Sequence, residues 1–95
     1  MKIKFKSTFT ERLERQVRYI AIDSPSRARK FKNELLKQVK KIPKNPYIHR
    51  KSIYFDENNI RDLIFKSYCI VYKINDSDKT IEVFGLAKYQ ENPTD

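Results

Sequence analysis

The sequence predicts an α+β fold, a helical hairpin packed on an antiparallel-dominated sheet of about four strands. Three observations carry that prediction. The stretch Ile60–Gln90 reads as three strands in succession, with turn residues between them. Two stretches of helical period precede it, separated by Asp23–Ser24–Pro25. A short alternating stretch, Lys2–Lys6, comes before both. The resulting order, β-α-α-β-β-β, is a helical layer on a sheet. Its 95 residues are expected to form a single domain spanning 1–95, enough for one compact core.

Lys2–Lys6 alternates Lys, Ile, Lys, Phe, Lys, which buries one face and lines the other with charge. Outward lysines also protect an edge strand from mispairing. Thr8 and Glu11 fit a capping box, in which hydroxyl and carboxylate satisfy free amides at a helix start. Phe9, Leu13, Val17 and Ile20 then form an apolar stripe, so helix one is expected from about Phe9 to Ile22. Asp23 or Ser24 caps a second helix with Pro25 at its first position, where a missing amide costs nothing. A break of about three residues makes the two helices an antiparallel hairpin. Helix two buries Ala28, Phe31, Leu35, Val39 and Ile42, and is expected to end at Pro43.

Tyr47–Phe55 is a basic and aromatic stretch in which Ile53 and Phe55 suggest a short extra strand, followed by a turn at Asp56–Asn59. Ile60–Lys66 opens the sheet proper. Tyr68–Ile74 sets Tyr68, Ile70, Tyr72 and Ile74 on one face and Cys69, Val71 and Lys73 on the other, so it belongs at the centre. Asn75–Lys79 is the turn into Ile81–Ala87, and a basic, polar tail follows at Lys88–Tyr89–Gln90. The predicted core comprises Phe5, Leu13, Val17, Ile20, Phe31, Leu35, Val39, Leu63, Ile70, Tyr72, Ile74, Ile81 and Val83.

Charge is the strongest global clue. Twenty-one Lys and Arg against 12 Asp and Glu give a net charge of +9. A chain this small then attracts polyanions at long range, either nucleic acid or an acidic protein segment. A solvated basic surface is the plain alternative. Most of the excess lies between Arg27 and Lys44, where eight basic residues face Glu34 alone. No apolar run approaches the roughly 20 residues of a membrane span, and MKIKFKSTF lacks the apolar region of a signal peptide. With one cysteine there is no disulfide framework, which suits the cytoplasm, and Cys69 reads as a buried inert thiol. A single glycine excludes a Gly-rich phosphate loop, and one His with one Cys excludes a Cys/His metal cluster. No cofactor or metal is therefore expected. His49 titrates near neutral pH if it is solvated, or is a bystander in a polar loop.

The segments YIAIDSPSRARKF, KNPYIHRKS, IRDLIFKSYCIVYKI and TIEVFGLAKYQENP, in this order, resemble the RelE/ParE superfamily. These proteins are the toxic halves of bacterial toxin–antitoxin pairs. The Arg-x-Leu strand, the Tyr-x-Ile-x-Tyr-x-Ile strand and a last strand ending in a basic residue carry the resemblance. It implies a cognate antitoxin whose acidic, apolar segment folds on the toxin, and one of two targets. RelE-like members cut mRNA on the ribosome without a metal; ParE-like members inhibit DNA gyrase.

RNA cleavage needs a base, cations for the phosphorane and an acid for the leaving oxygen. Lys88, Tyr89, Arg61, Lys66 and Lys51 are the candidates for that work. Many RelE-like nucleases carry arginine directly after the first Tyr of the central strand, where this chain has Cys69. A neutral thiol cannot replace a guanidinium there. The DSP turn also looks ParE-like, so gyrase inhibition is the first expectation and RNA cleavage the second. An inactive or non-toxic basic binding module is the third. The expected binding surface comprises Arg27, Lys30, Lys37, Lys41, Arg50, Lys51 and Lys88.

Overall fold

The computed structural model describes residues 1–88. The elements are β1 (Lys2–Phe5), α1 (Ser7–Asp23), α2 (Pro25–Val39), a 3-10 turn (Ile42–Lys44), β2 (Arg50–Lys51), β3 (Ile60–Phe65), β4 (Tyr68–Asn75) and β5 (Thr80–Lys88). They build a mixed five-stranded sheet in the order β1-β5-β4-β3-β2, with β4 at its centre. The pairs β2–β3, β3–β4 and β4–β5 are antiparallel, and β1 alone runs parallel to its neighbour β5.

The face under the helices holds the main core, built from Phe9, Leu13, Phe31, Leu35, Val39, Ile42, Leu63, Ile70, Tyr72, Ile74, Ile81, Val83 and Leu86. The alternation of β4 assigns faces as its sequence predicts. Cys69 and Val71 lie on the far side in a smaller cluster with Ile60 and Phe84. A register shift between Val71 and Tyr72 coincides with Gly85, whose missing side chain makes room for Val71.

The hairpin is as expected. Ser24 has extended backbone, ends α1 and caps α2, its Oγ accepting from the Arg27 amide at 3.3 Å. Pro25 occupies the first turn of α2. The start of α1 (Phe9, Leu13) lies beside the end of α2 (Leu36, Lys40), which makes the pair antiparallel.

Several expectations need correction. The capping box does not form, because α1 begins at Ser7 and Lys6 is its uncapped N-terminal residue. Thr8 is already inside the helix, and its hydroxyl donates to the Phe84 carbonyl at 2.7 Å, pinning α1 to β5. Phe5 is 41% exposed instead of buried, because it stands where the edge strand leaves the sheet and stacks on Phe9 at the rim. Val17 and Ile20 pack on the core half-buried. Helix two stops at Val39 and not at Pro43. Pro43 has no amide to donate to the Val39 carbonyl and its ring crowds that carbonyl, so the α-helix gives way at Lys40 and Lys41 to a separate 3-10 turn that contains the proline. Ile42 is still buried, but from that turn. The extra strand is Arg50–Lys51; Ile53 and Phe55 are exposed beyond it.

Candidate functional site

A concave groove opens where the hairpin meets the end of the sheet. Gln16, Tyr19 and Ile20 of α1, Arg27, Lys30 and Phe31 of α2, and Lys66, Tyr68 and Lys88 of the strand ends line it. A second depression, lined by Arg12, Arg15, Gln16, Tyr68, Leu86, Ala87 and Lys88, shares Gln16, Tyr68 and Lys88 with the first. The two are one continuous surface carrying Arg12, Arg15, Arg27, Lys30, Lys66 and Lys88, and no carboxylate lines it. Glu34 stands at the rim, its Oε1 3.3 Å from Lys66 Nζ.

The fold explains each position. Tyr68 opens β4 opposite Lys88 at the close of β5, and Lys88 Nζ sits 6.0 Å from the Tyr68 ring centroid. Tyr68 also packs against Phe31 at 5.0 Å between ring centroids, which joins the sheet end to α2. Burial, with the neighbouring Tyr19, raises the Tyr68 pKa, so the phenol stays protonated at neutral pH. Lys66 and Ser67 form a two-residue turn between paired Phe65 and Tyr68, and Lys66 takes φ 54°. That conformation is normally left to glycine and costs another residue on the order of 1–2 kcal/mol.

Arg61 and Lys51 lie elsewhere. Arg61 pairs across from Tyr72, in the opposite half of β4 from Tyr68. Its guanidinium is committed to the loop before β3. Nε donates to the Asn58 carbonyl at 2.8 Å, and Nη2 to Asn58 Oδ1 at 2.6 Å. Nη1 donates to the carbonyls of His49 and Tyr47, at 3.0 and 3.3 Å, and the guanidinium carbon lies 4.9 Å from the Tyr47 ring centroid. The Tyr47 hydroxyl in turn donates to Asp76 at 2.7 Å, and that of Tyr72 to the Pro46 carbonyl at 2.6 Å. Lys51 pairs with Asp56 at 3.0 Å. His49 packs edge-on to Tyr72, and burial lowers its pKa, so it is neutral at pH 7.

Cys69 is fully buried on the far side of the sheet, near Asp62 and Arg50. Burial is the main cause that pushes its thiol up to about 12. Asp62 is equally buried and ties down the segment after β2. Its Oδ2 lies 3.2 Å from Arg50 Nη2 and accepts from the Ile53 amide at 3.1 Å. A lone carboxylate within the largely apolar run of β3 is the one signal of Asp62 in the sequence, and it is easily passed over.

The family model described as the ParE toxin of type II toxin-antitoxin system, parDE, matches residues 3–93. The chain belongs to the ParE toxin family. No curated protein sequence matches it. Among solved structures, the crystal structure of the isolated E. coli RelE toxin, P21 form, is similar to this toxin. It is 16% identical, with 98% of this chain and 88% of that one covered and a TM-score of 0.56, a likeness of fold.

Of the residues predicted for the toxin's working surface, the groove brings together Arg27, Lys30, Lys66 and Lys88. Lys37 and Lys41 are exposed but do not line it, and Arg50 pairs with Asp62. Tyr89 lies outside the described residues. Arg12, Arg15 and Tyr19 are groove residues that sequence reasoning passed over, because interspersed Glu11 and Glu14 masked the basic side of helix one. Membership of the family implies an antitoxin partner. Among the described residues no helix is long and apolar enough to cross a membrane.

Proposed function

We propose that this toxin arrests growth by binding and inhibiting DNA gyrase, with the cytoplasm as its place of action. The observation that carries the reading is the commitment of Arg61. It is the only guanidinium among the candidates for RNA cleavage, and its donors hold the loop before β3. The position after the first Tyr of the central strand, where many RelE-like nucleases carry arginine, is the buried, protonated Cys69. A phosphorane at either of those two positions would then find no free guanidinium, the planar bidentate donor that suits it. Inhibition by contact makes no such demand and uses the exposed basic hairpin directly.

The convergence of Lys66 and Lys88 beside Tyr68 favours the competing reading, ribosome-dependent mRNA cleavage, in which the lysines stabilise charge. One pair of assays separates the two. Purified toxin is added to a gyrase supercoiling reaction and, separately, to ribosomes translating a defined mRNA. Lost supercoiling with intact mRNA is the expected result. Cleaved mRNA with normal supercoiling would overturn the proposal.

A further inference from the structure

We infer that the groove between the helical hairpin and the ends of β3–β5 binds a single strand of nucleic acid, with Lys66 as one of its phosphate contacts. Six cations follow one concave surface that no carboxylate lines. Tracking a phosphate backbone needs such a row. Between the cations stand two aromatic rings, Tyr19, 69% exposed on α1, and the half-buried Tyr68. An exposed ring such as Tyr19 among cations fits an unstacked base, which every single strand presents and a duplex conceals.

The position of Lys66 adds to this. A two-residue hairpin turn that needs left-handed backbone is ordinarily built with glycine. Here a lysine holds that conformation at the groove's mouth, with Glu34 beside it. Lys79 holds the same backbone (φ 56°) in the β4–β5 turn, so it is the place of Lys66 on the groove, beside Lys88 and Tyr68, that points to use of its charge. An incoming phosphate exchanges for the Glu34 carboxylate as the partner of Lys66.

The inference does not rest on gyrase being the target. Any single strand supplies the shared chemistry, phosphodiesters with stackable bases, and the assay distinguishes DNA from RNA. Fluorescence anisotropy is measured with labelled dT12 and rU12 at several salt concentrations, with a 12-residue poly-glutamate as competitor. We expect binding whose logarithm falls with log salt at a slope of about −3, as four single-strand phosphate contacts give. Tighter binding of dT12 would mark the ligand as DNA, and of rU12 as RNA; either supports the inference.

Lys66→Gly should weaken binding about fivefold or more and shallow the slope by about 0.7, while the melting temperature stays level or rises. Tyr19→Ala should weaken binding about tenfold with the slope unchanged, since it removes stacking and not charge. Lys37→Ala, on the same basic helix outside the groove, should change affinity less than Lys66→Gly. Unaltered affinity in the folded Lys66→Gly protein would overturn the inference. So would displacement of the oligonucleotides by equimolar poly-glutamate, which would make the groove a site for acidic protein. Because the assay contains no gyrase, either result leaves the supercoiling experiment to be judged separately.

Discussion

Three single residues show how tightly this small fold is specified. Gly85 is the first. A Cβ there would stand 3.1 Å from Val71 Cβ and 3.2 Å from its Cγ2, inside the far face of two central strands. Gly85→Ala should therefore cost about 1–3 kcal/mol, the usual penalty of overpacking, measured by urea denaturation. Asp62 is the second. Removing its carboxylate takes one partner from Arg50 and the acceptor from the Ile53 amide. Arg50 is 36% exposed, so Asp62→Ala should cost about 2–3 kcal/mol, below the figure for breaking a fully buried pair. Cys69 is the third. With its pKa raised to about 12, the native thiol should resist a disulfide reagent at pH 8 and react at the ordinary rate in denaturant. The folded state holds this proton more firmly than the unfolded chain. The associated stability is complete below the unfolded thiol's pKa and is lost as pH rises from there towards 12. Equal losses of stability between about pH 9 and 11 in the native protein and in Cys69→Ala would contradict that sign.

Among the elements, the hairpin was the most legible and the β2 region the least, and the reasons are physical. Ser24 and Pro25 act within one turn, so local chemistry alone sets the break. Ser24→Ala should cost about 1 kcal/mol and Ser24→Gly only a few tenths, compared by thermal melting. The alternation of β4 was equally readable, because burial on both faces leaves few polar residues. What sequence could not show is where distant elements spend their polar groups. Thr8 looks like a cap until β5 offers the Phe84 carbonyl, and Arg61 looks available until the loop at residues 45–59 folds around it. Phe5 alternates correctly yet sits at a rim, since periodicity assigns a face but not the extent of its cover. The groove itself was half legible: the cations of α2 stood out, whereas Tyr19 joined them only through the hairpin's geometry.

For the whole molecule the net charge of +9 sets how partners arrive. The antitoxin implied by the family is expected to present an acidic segment that orders on binding, the reading that the charge supports best. Association measured by stopped flow should slow markedly between about 50 and 200 mM salt, while dissociation changes little, because steering acts on encounter. Equal association rates across that range would rule out steering. His49 gives an internal reference in the same solutions. Its depressed pKa places its NMR titration midpoint below that of an exposed histidine, so the binding rate should not follow its charge between pH 7 and 8.

The one parallel pairing has a consequence for how the protein comes into being. β5 lies between β1 and β4, so the sheet joins the chain's first strand to the last one made among the described residues. Contacts of that sequence separation form late, since a long loop must close before they stabilise anything. During synthesis, β1 and the hairpin wait without their sheet partner until β5 has emerged. The groove, which needs Lys88 from the end of that strand, is completed at the same moment. A nascent chain thus carries its basic hairpin for the time that synthesis of residues 24–88 takes before the sheet closes over it and the groove is whole.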